Sequence, residues 1–135
     1  MEPVRHIKLR WLHSGLGDPG YEVIQHFSQF VTGKWRPAIN AFRCETELKI
    51  CVELAGIEKA EIDLMVEPRR VVVRGTRELP EPPYHDGCAT FQVLGLEINY
   101  GPFEREILLP VEVDVEQSSA EQENGLLWIR LPLKR

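Results

Sequence analysis

No run of about 18 consecutive apolar residues occurs in this 135-residue sequence, so no stretch reads as a membrane-spanning helix. The first thirty residues also lack the apolar core of 7 to 15 residues that a secretory signal requires. Cysteine is scarce and odd in number, and Cys44, Cys51 and Cys88 form no Cys-x-x-Cys pair. Together these absences predict a chain of the reducing cytoplasm. Cys44 and Cys51 read as small strand hydrophobes, and Cys88, in a predicted loop, is the better candidate for a reactive thiol.

Phosphate-binding glycine patterns are missing as well. Neither Gly-x-x-x-x-Gly-Lys-[Ser/Thr] nor Gly-x-Gly-x-x-Gly is present, and no nucleotide cofactor is expected. His6, His13, His26 and His85 stand apart from one another and from the cysteines, so they read as solvated side chains and no metal is expected. No Gly-x-Ser-x-Gly elbow activates a serine; Ser14 and Ser28 fall in the N-terminal arm and Ser118-Ser119 in a predicted strand. Glu104 and Glu106 share a strand face and mimic a glycosidase pair, but alternating acids are the ordinary outward face of an antiparallel strand. The formal charge is -5, and it is uneven: residues 1–36 hold five basic and three acidic residues, and the remainder eleven and eighteen. A body carrying -7 repels phosphate backbones, so nucleic acid is not an expected partner.

What is present is a single domain's worth of chain, 43% apolar and 27% charged, with a short arm before it. In the arm, Asp18 and Pro19 open a predicted helix that sets Val23, Ile24, Phe27, Phe30 and Val31 on one face before Gly33 ends it. About three helical turns are marginal alone in water, so this face must pack on the domain, on a neighbouring subunit or on another polypeptide. Strand signals follow at Pro37 to Cys44 and at Leu48 to Leu54, where Leu48, Ile50, Val52 and Leu54 alternate with Lys49, Cys51 and Glu53. Ala55-Gly56 breaks the second of these strands. Ile62, Leu64 and Val66 form the next alternation and Val71 with Val73 another, turned by Glu67-Pro68-Arg69. Short antiparallel strands at this spacing predict an all-β, immunoglobulin-like sandwich.

Residues 76–99 make a connection too long to be structureless. Its first half, Leu79 to Gly87, carries three prolines; its second, Ala89 to Ile98, reads as a strand through Phe91, Val93, Leu94 and Leu96, with no partner supplied by the segments before it. The strongest pattern comes last. Phe103, Arg105, Ile107 and Leu109 share one parity, Pro110 stops the strand, and Asn124-Gly125 launches a final one in which Leu127, Ile129 and Leu131 alternate with Leu126, Trp128 and Arg130. Trp128 and Leu126 therefore project outward, as an interaction patch or as a platform beneath the arm.

The order Trp35-x-Pro37, Glu45-Thr46, Leu54-Ala55-Gly56-Ile57, Val71-Val72-Val73-Arg74-Gly75, Tyr100-Gly101-x-Phe103-x-Arg105, Leu109-Pro110 and Asn124-Gly125-x-Leu127-x-Ile129-x-Leu131-Pro132 resembles the α-crystallin domain of small heat-shock proteins over about 100 residues. The family more often has proline where this chain has Ala55. The resemblance implies an α-crystallin domain over residues 35–133, an arm over 1–34 that is partly helical or disordered, and a 76–99 dimerisation loop. In bacterial and plant-type members the loop strand crosses to the other subunit, which would set Phe91, Val93, Leu94, Leu96 and Glu97 against Ala38, Asn40 and Phe42. The resemblance also implies that Arg105 forms an ion pair near that interface, with Glu97 as a candidate partner; the alternative is an arginine snorkelling at the sheet rim.

The implied function is that of an ATP-independent holdase: not an enzyme, without catalytic residues, cofactor or metal, binding partly unfolded clients in a stress response. Its expected client surfaces are the arm face and a groove bordered by Ile62, Leu64, Val66 and Ala120. A homodimer by strand exchange is expected, and only small or loosely held higher oligomers, because Leu131-Pro132-Leu133 leaves no real C-terminal extension to reach a neighbouring dimer. The rival readings are a non-chaperone adaptor resembling the related domains of co-chaperones, and an aromatic ligand-binding sandwich using Trp128.

Overall fold

Alternation dictates the architecture. The strands that carry Leu48, Ile50 and Val52, Ile62, Leu64 and Val66, Val71 and Val73, and Leu127, Ile129 and Leu131 place aliphatic residues at alternate positions, and two sheets with such faces bury them against one another. The computed structural model describes residues 3–8, 33–80 and 92–135. Eight strands form two four-stranded antiparallel sheets: β1 (Arg5–Lys8), β4 (Ile62–Glu67), β5 (Arg70–Arg77) and β6 (Gly101–Leu108) in one, and β2 (Ile39–Arg43), β3 (Glu47–Glu53), β8 (Leu126–Pro132) and β7 (Ser119–Glu123) in the other, each in that order across the sheet. The antiparallel β-sandwich expected from strand spacing is the fold observed.

Between the sheets lies a dry layer. Leu48, Ile50, Val52 and Leu54 meet Leu127, Ile129 and Leu131 in one sheet, and face Ile62, Leu64, Val66, Val71, Val73 and Phe103 from the other. The β7–β8 hairpin turns through Asn124 at φ 51° and Gly125 at φ 79°, the left-handed pair that Asn-Gly supplies cheaply. Its Gly125 carbonyl accepts from the Leu54 amide at 2.8 Å, tying the hairpin to the end of β3.

Residues 92–99, expected to hold a strand, make no ladder among the described residues; the edge expected to receive that strand belongs to a second subunit. Ser118, expected inside a strand, instead closes a 3₁₀ turn over Val115–Gln117, and β7 begins one residue later. Cys44 is not a strand hydrophobe either; it is exposed just past β2, whereas Cys51 is buried as expected. The helix expected over Val23, Ile24, Phe27, Phe30 and Val31 lies outside the described residues, as do Phe91 and Cys88.

Close packing demands glycine at one position in this layer. A Cβ on Gly75 would sit 2.0 Å from the Glu61 carbonyl oxygen and 2.6 Å from the Phe103 ring, so the Phe103 side chain occupies the space a larger residue would need. Gly75→Ala is expected to destabilise the fold by about 1–3 kcal/mol, read as a lowered urea midpoint, while Gly95→Ala, which has open space around it, leaves the midpoint nearly unchanged.

Candidate functional site: the loop base, the open sheet edge and the outer aromatic pair

Three features of the sandwich bear on association. The first is the root of the 76–99 connection, where Arg77 ends β5 with its side chain turned inward, on the parity of Val73 and Gly75. Only 7% of it is exposed. Its Nε donates to the Asn99 carbonyl at 2.7 Å, its Nη1 donates to the Ala55 carbonyl at 3.1 Å, and the guanidinium lies 4.3 Å from the centre of the Trp35 ring. Trp35 in turn donates from Nε1 to the Gly101 carbonyl at 3.0 Å and packs on Phe103, with 5.2 Å between ring centres. One arginine thus joins both ends of the connection, the corner after β3 and the entry to the domain. Burial pulls its pKa downward, Glu53 opposing this weakly, but a guanidinium remains charged at any ordinary pH.

The second feature is the edge of the other sheet. β2 pairs only with β3 among the described residues, so its far side is open, and Asn40, Ala41, Phe42 and Arg43 are all exposed. Beyond the loop base, Val93, Leu94, Leu96 and Ile98 stand in solvent, Leu94 at 92% exposure. An unpaired strand edge and an unpaired apolar segment therefore coexist in one protomer, and each is what the other lacks.

Arg105 lies beside the chain that leads into β2. On β6 it takes the inward parity opposite Val73, Nη1 donates to the Pro37 carbonyl at 3.3 Å, and Nε is buried with no hydrogen-bond partner among the described residues. Glu97, its expected partner, is exposed and makes no ion pair with it here.

The third feature is the outer face of the β2 sheet. Trp128 projects outward as its parity requires and stacks on Phe42, 6.4 Å between ring centres and 24° between planes. Trp128 is 37% exposed and Phe42 54%, with Cys51 buried opposite Trp128 in the ladder. Burial pushes the Cys51 thiol pKa up, while a hydrogen bond from Thr46 pulls that of exposed Cys44 down. On the other sheet, Glu104 pairs with Arg74 and Glu106 with Arg70, so these acids are ordinary outward charges and no glycosidase pair forms.

The expected client groove needs correction. Ile62, Leu64 and Val66 are no more than 2% exposed and belong to the dry layer between the sheets; their alternation marks core, and β1 covers the β4 edge beside them. Ala120, half-buried on β7, is the exception, sharing a shallow recess with Lys49, Trp128 and Arg130. Arg77 and Phe42's stacking on Trp128 went unassigned in the sequence. Parity carried from Val73 through Gly75 places Arg77 inward, a signal that was there to be extended.

The comparisons agree with this geometry. Residues 41–135 match the model of the Hsp20/alpha crystallin family. Heat shock protein 16 of Schizosaccharomyces pombe is 24% identical over 102 residues, covering 76% of this chain and 69% of that protein. Small heat shock protein C4 of Rickettsia felis is 33% identical over 91 residues, 67% of this chain and 52% of its own length. Among solved structures, HSP18.5 from E. histolytica superposes with a TM-score of 0.61 at 26% identity, over 74% of this chain and 89% of that one. The chain belongs to the Hsp20/alpha crystallin family of small heat-shock proteins. It spans about half the length of the Rickettsia relative. No helix among the described residues is long and apolar enough to cross a membrane.

Removing Arg77 takes the donor from the Asn99 and Ala55 carbonyls, both on exposed residues, and the guanidinium from the Trp35 ring. Arg77→Ala is expected to lower stability by about 1–3 kcal/mol, and Arg77→Lys to recover less than half of that, because an ammonium lacks the planar fork that serves both carbonyls. Chemical denaturation of the two variants measures both values.

Proposed function

We propose that this protein is an ATP-independent holdase that dimerises by exchanging the segment around Val93 to Leu96 and covers apolar surface on partly unfolded proteins. The observation that carries the reading is the pairing of an open β2 edge with an exposed apolar segment that has no ladder of its own. Laid along β2 of a second copy, the segment would gain backbone hydrogen bonds and place Val93, Leu94 and Leu96 beside Ala38, Asn40 and Phe42. It would also carry Glu97 toward the buried Nε of Arg105, which has no acceptor among the described residues.

Client binding on this reading is hydrophobic and needs no chemistry. Covering about 500 Å² of apolar area at about 25 cal/mol/Å² yields roughly 12 kcal/mol, comparable with the 4–15 kcal/mol that association costs. The surfaces offered are the Phe42 and Trp128 stack, the neighbouring Ala120 recess and the arm residues Val23, Ile24, Phe27, Phe30 and Val31.

Light scattering of two unrelated heat-denatured clients, without ATP, tests the holdase reading. Suppression of both at near-stoichiometric ratio is expected; no suppression of either, with tight binding to a single folded protein, would establish an adaptor instead. Sedimentation tests the exchange. Val93→Pro removes a ladder donor and should yield monomer, and a variant that still sediments as an unchanged dimer would show that the loop packs on its own subunit. Arg105→Ala should lower the thermal midpoint of the dimer by the equivalent of about 3 kcal/mol, well beyond the effect of exposed Lys49→Ala.

A further inference from the structure

The outer face of the sheet formed by β2, β3, β8 and β7 carries its charge in rows. Ladder register sets these rows across the strands: Lys49 stands opposite Arg130, Cys51 opposite Trp128, and Glu53 opposite Leu126, with Glu123 beyond it on β7. A walk along the strands therefore leads from a basic row, through the row of Trp128, to an acidic row. Lys49, Arg130, Glu53 and Glu123 are all exposed.

Neither charged row is balanced on its own. Glu47 pairs with Arg130 and stands 3.7 Å from Lys49, so two cations share that carboxylate. Glu53 accepts from the Ala55 amide at 2.9 Å, but neither it nor Glu123 forms an ion pair among the described residues. Between the rows Phe42 reaches over β3 to stack on Trp128, and both rings keep a large share of their surface in solvent. Glu121, opposite Trp128 on β7, stands at the rim of the middle row.

Such a pattern is complementary to itself. A two-fold axis lying along the Trp128 row, between two copies packed face to face, keeps each strand over its counterpart and exchanges the outer rows. Lys49 of one copy then meets Glu53 of the second, and the two Trp128 rings meet at the axis. A two-fold along the strands would instead set basic row on basic row and acidic on acidic. Charge therefore selects one of the two arrangements.

We infer that this face is a contact between two copies of the chain, paired about a two-fold axis at Trp128 and held in register by Lys49 and Glu53. The exposed aromatic area supplies attraction, and the charged rows supply orientation. Strand exchange uses the β2 edge and leaves this face free, so the two contacts together would link dimers. The inference stands without the holdase reading: both draw on the Phe42 and Trp128 stack, but self-association is read with no client present.

Sedimentation of the full-length chain over a range of protein and salt concentrations tests it. Association through this face is expected to strengthen with protein concentration and to weaken as salt screens the rows. Lys49→Glu and Glu53→Lys each set like charges across the axis, and each should raise the dissociation constant of this contact by about tenfold or more. Mixing the two variants in equal amounts should restore the wild-type mass, because the mixed pair again joins opposite charges at both crossings. Misfolding of either variant would not be repaired by mixing. Wild-type association in both single variants would overturn the inference. So would a mixture that sediments no faster than its components, or a wild-type mass that neither concentration nor salt changes.

Discussion

A dry layer of aliphatic side chains shared by two sheets is the constraint on which the remaining features depend. The central strands β3, β4, β5 and β8 spend alternate residues on that layer, so their outward residues and the edge strands are left for other work. This is why Ile62, Leu64 and Val66 serve as core and cannot serve as a client surface, while Phe42 and Trp128, on the opposite parity of their own strands, stack in partial contact with water. A sandwich of two open sheets also leaves edges and ends where polar backbone meets the layer, and Arg5, Arg77 and Arg105 stand at such places.

The inward arginines share one chemistry. Arg77 donates to the Asn99 and Ala55 carbonyls, Arg105 to Pro37 and Arg5 to the Ser118 turn. Each uses backbone carbonyls, where the outward Arg70, Arg74 and Arg130 take carboxylates. Planar, weakly hydrated guanidinium suits the first task because one fork satisfies several orphan carbonyls at a chain crossing. Neutral carbonyls do not cancel its charge, which is why burial pulls Arg77 downward in pKa. The outward pairs are solvated and contribute little to stability; the inward ones hold together segments far apart in sequence.

Edges then decide what the protein can associate with. β1 covers β4, Trp35 bridges to β6 at Phe103, and β2 remains uncovered among the described residues. An edge of five residues flanked by an unpaired apolar segment is a surface for pairing with another chain, and membership of the Hsp20/alpha crystallin family makes a second copy the natural partner under the proposed reading.

Local alternation and turn chemistry were enough to determine the antiparallel sandwich, because Val71 with Val73, and Leu127 with Ile129 and Leu131, bury on one parity whatever their neighbours are, and Asn124-Gly125 admits few turns other than the one observed. Family membership was legible on the same residues. Alternation could not distinguish Ile62, Leu64 and Val66 as core from the same residues as groove, since burial depends on what lies opposite. The strand expected around Val93 formed no ladder, because a strand exists only where an edge receives it. Nor did the sequence disclose Arg5 against the Ser118 turn, over a hundred residues away; that contact was decided by tertiary structure, which alone brings a distant guanidinium to carbonyls that carry no sequence signature.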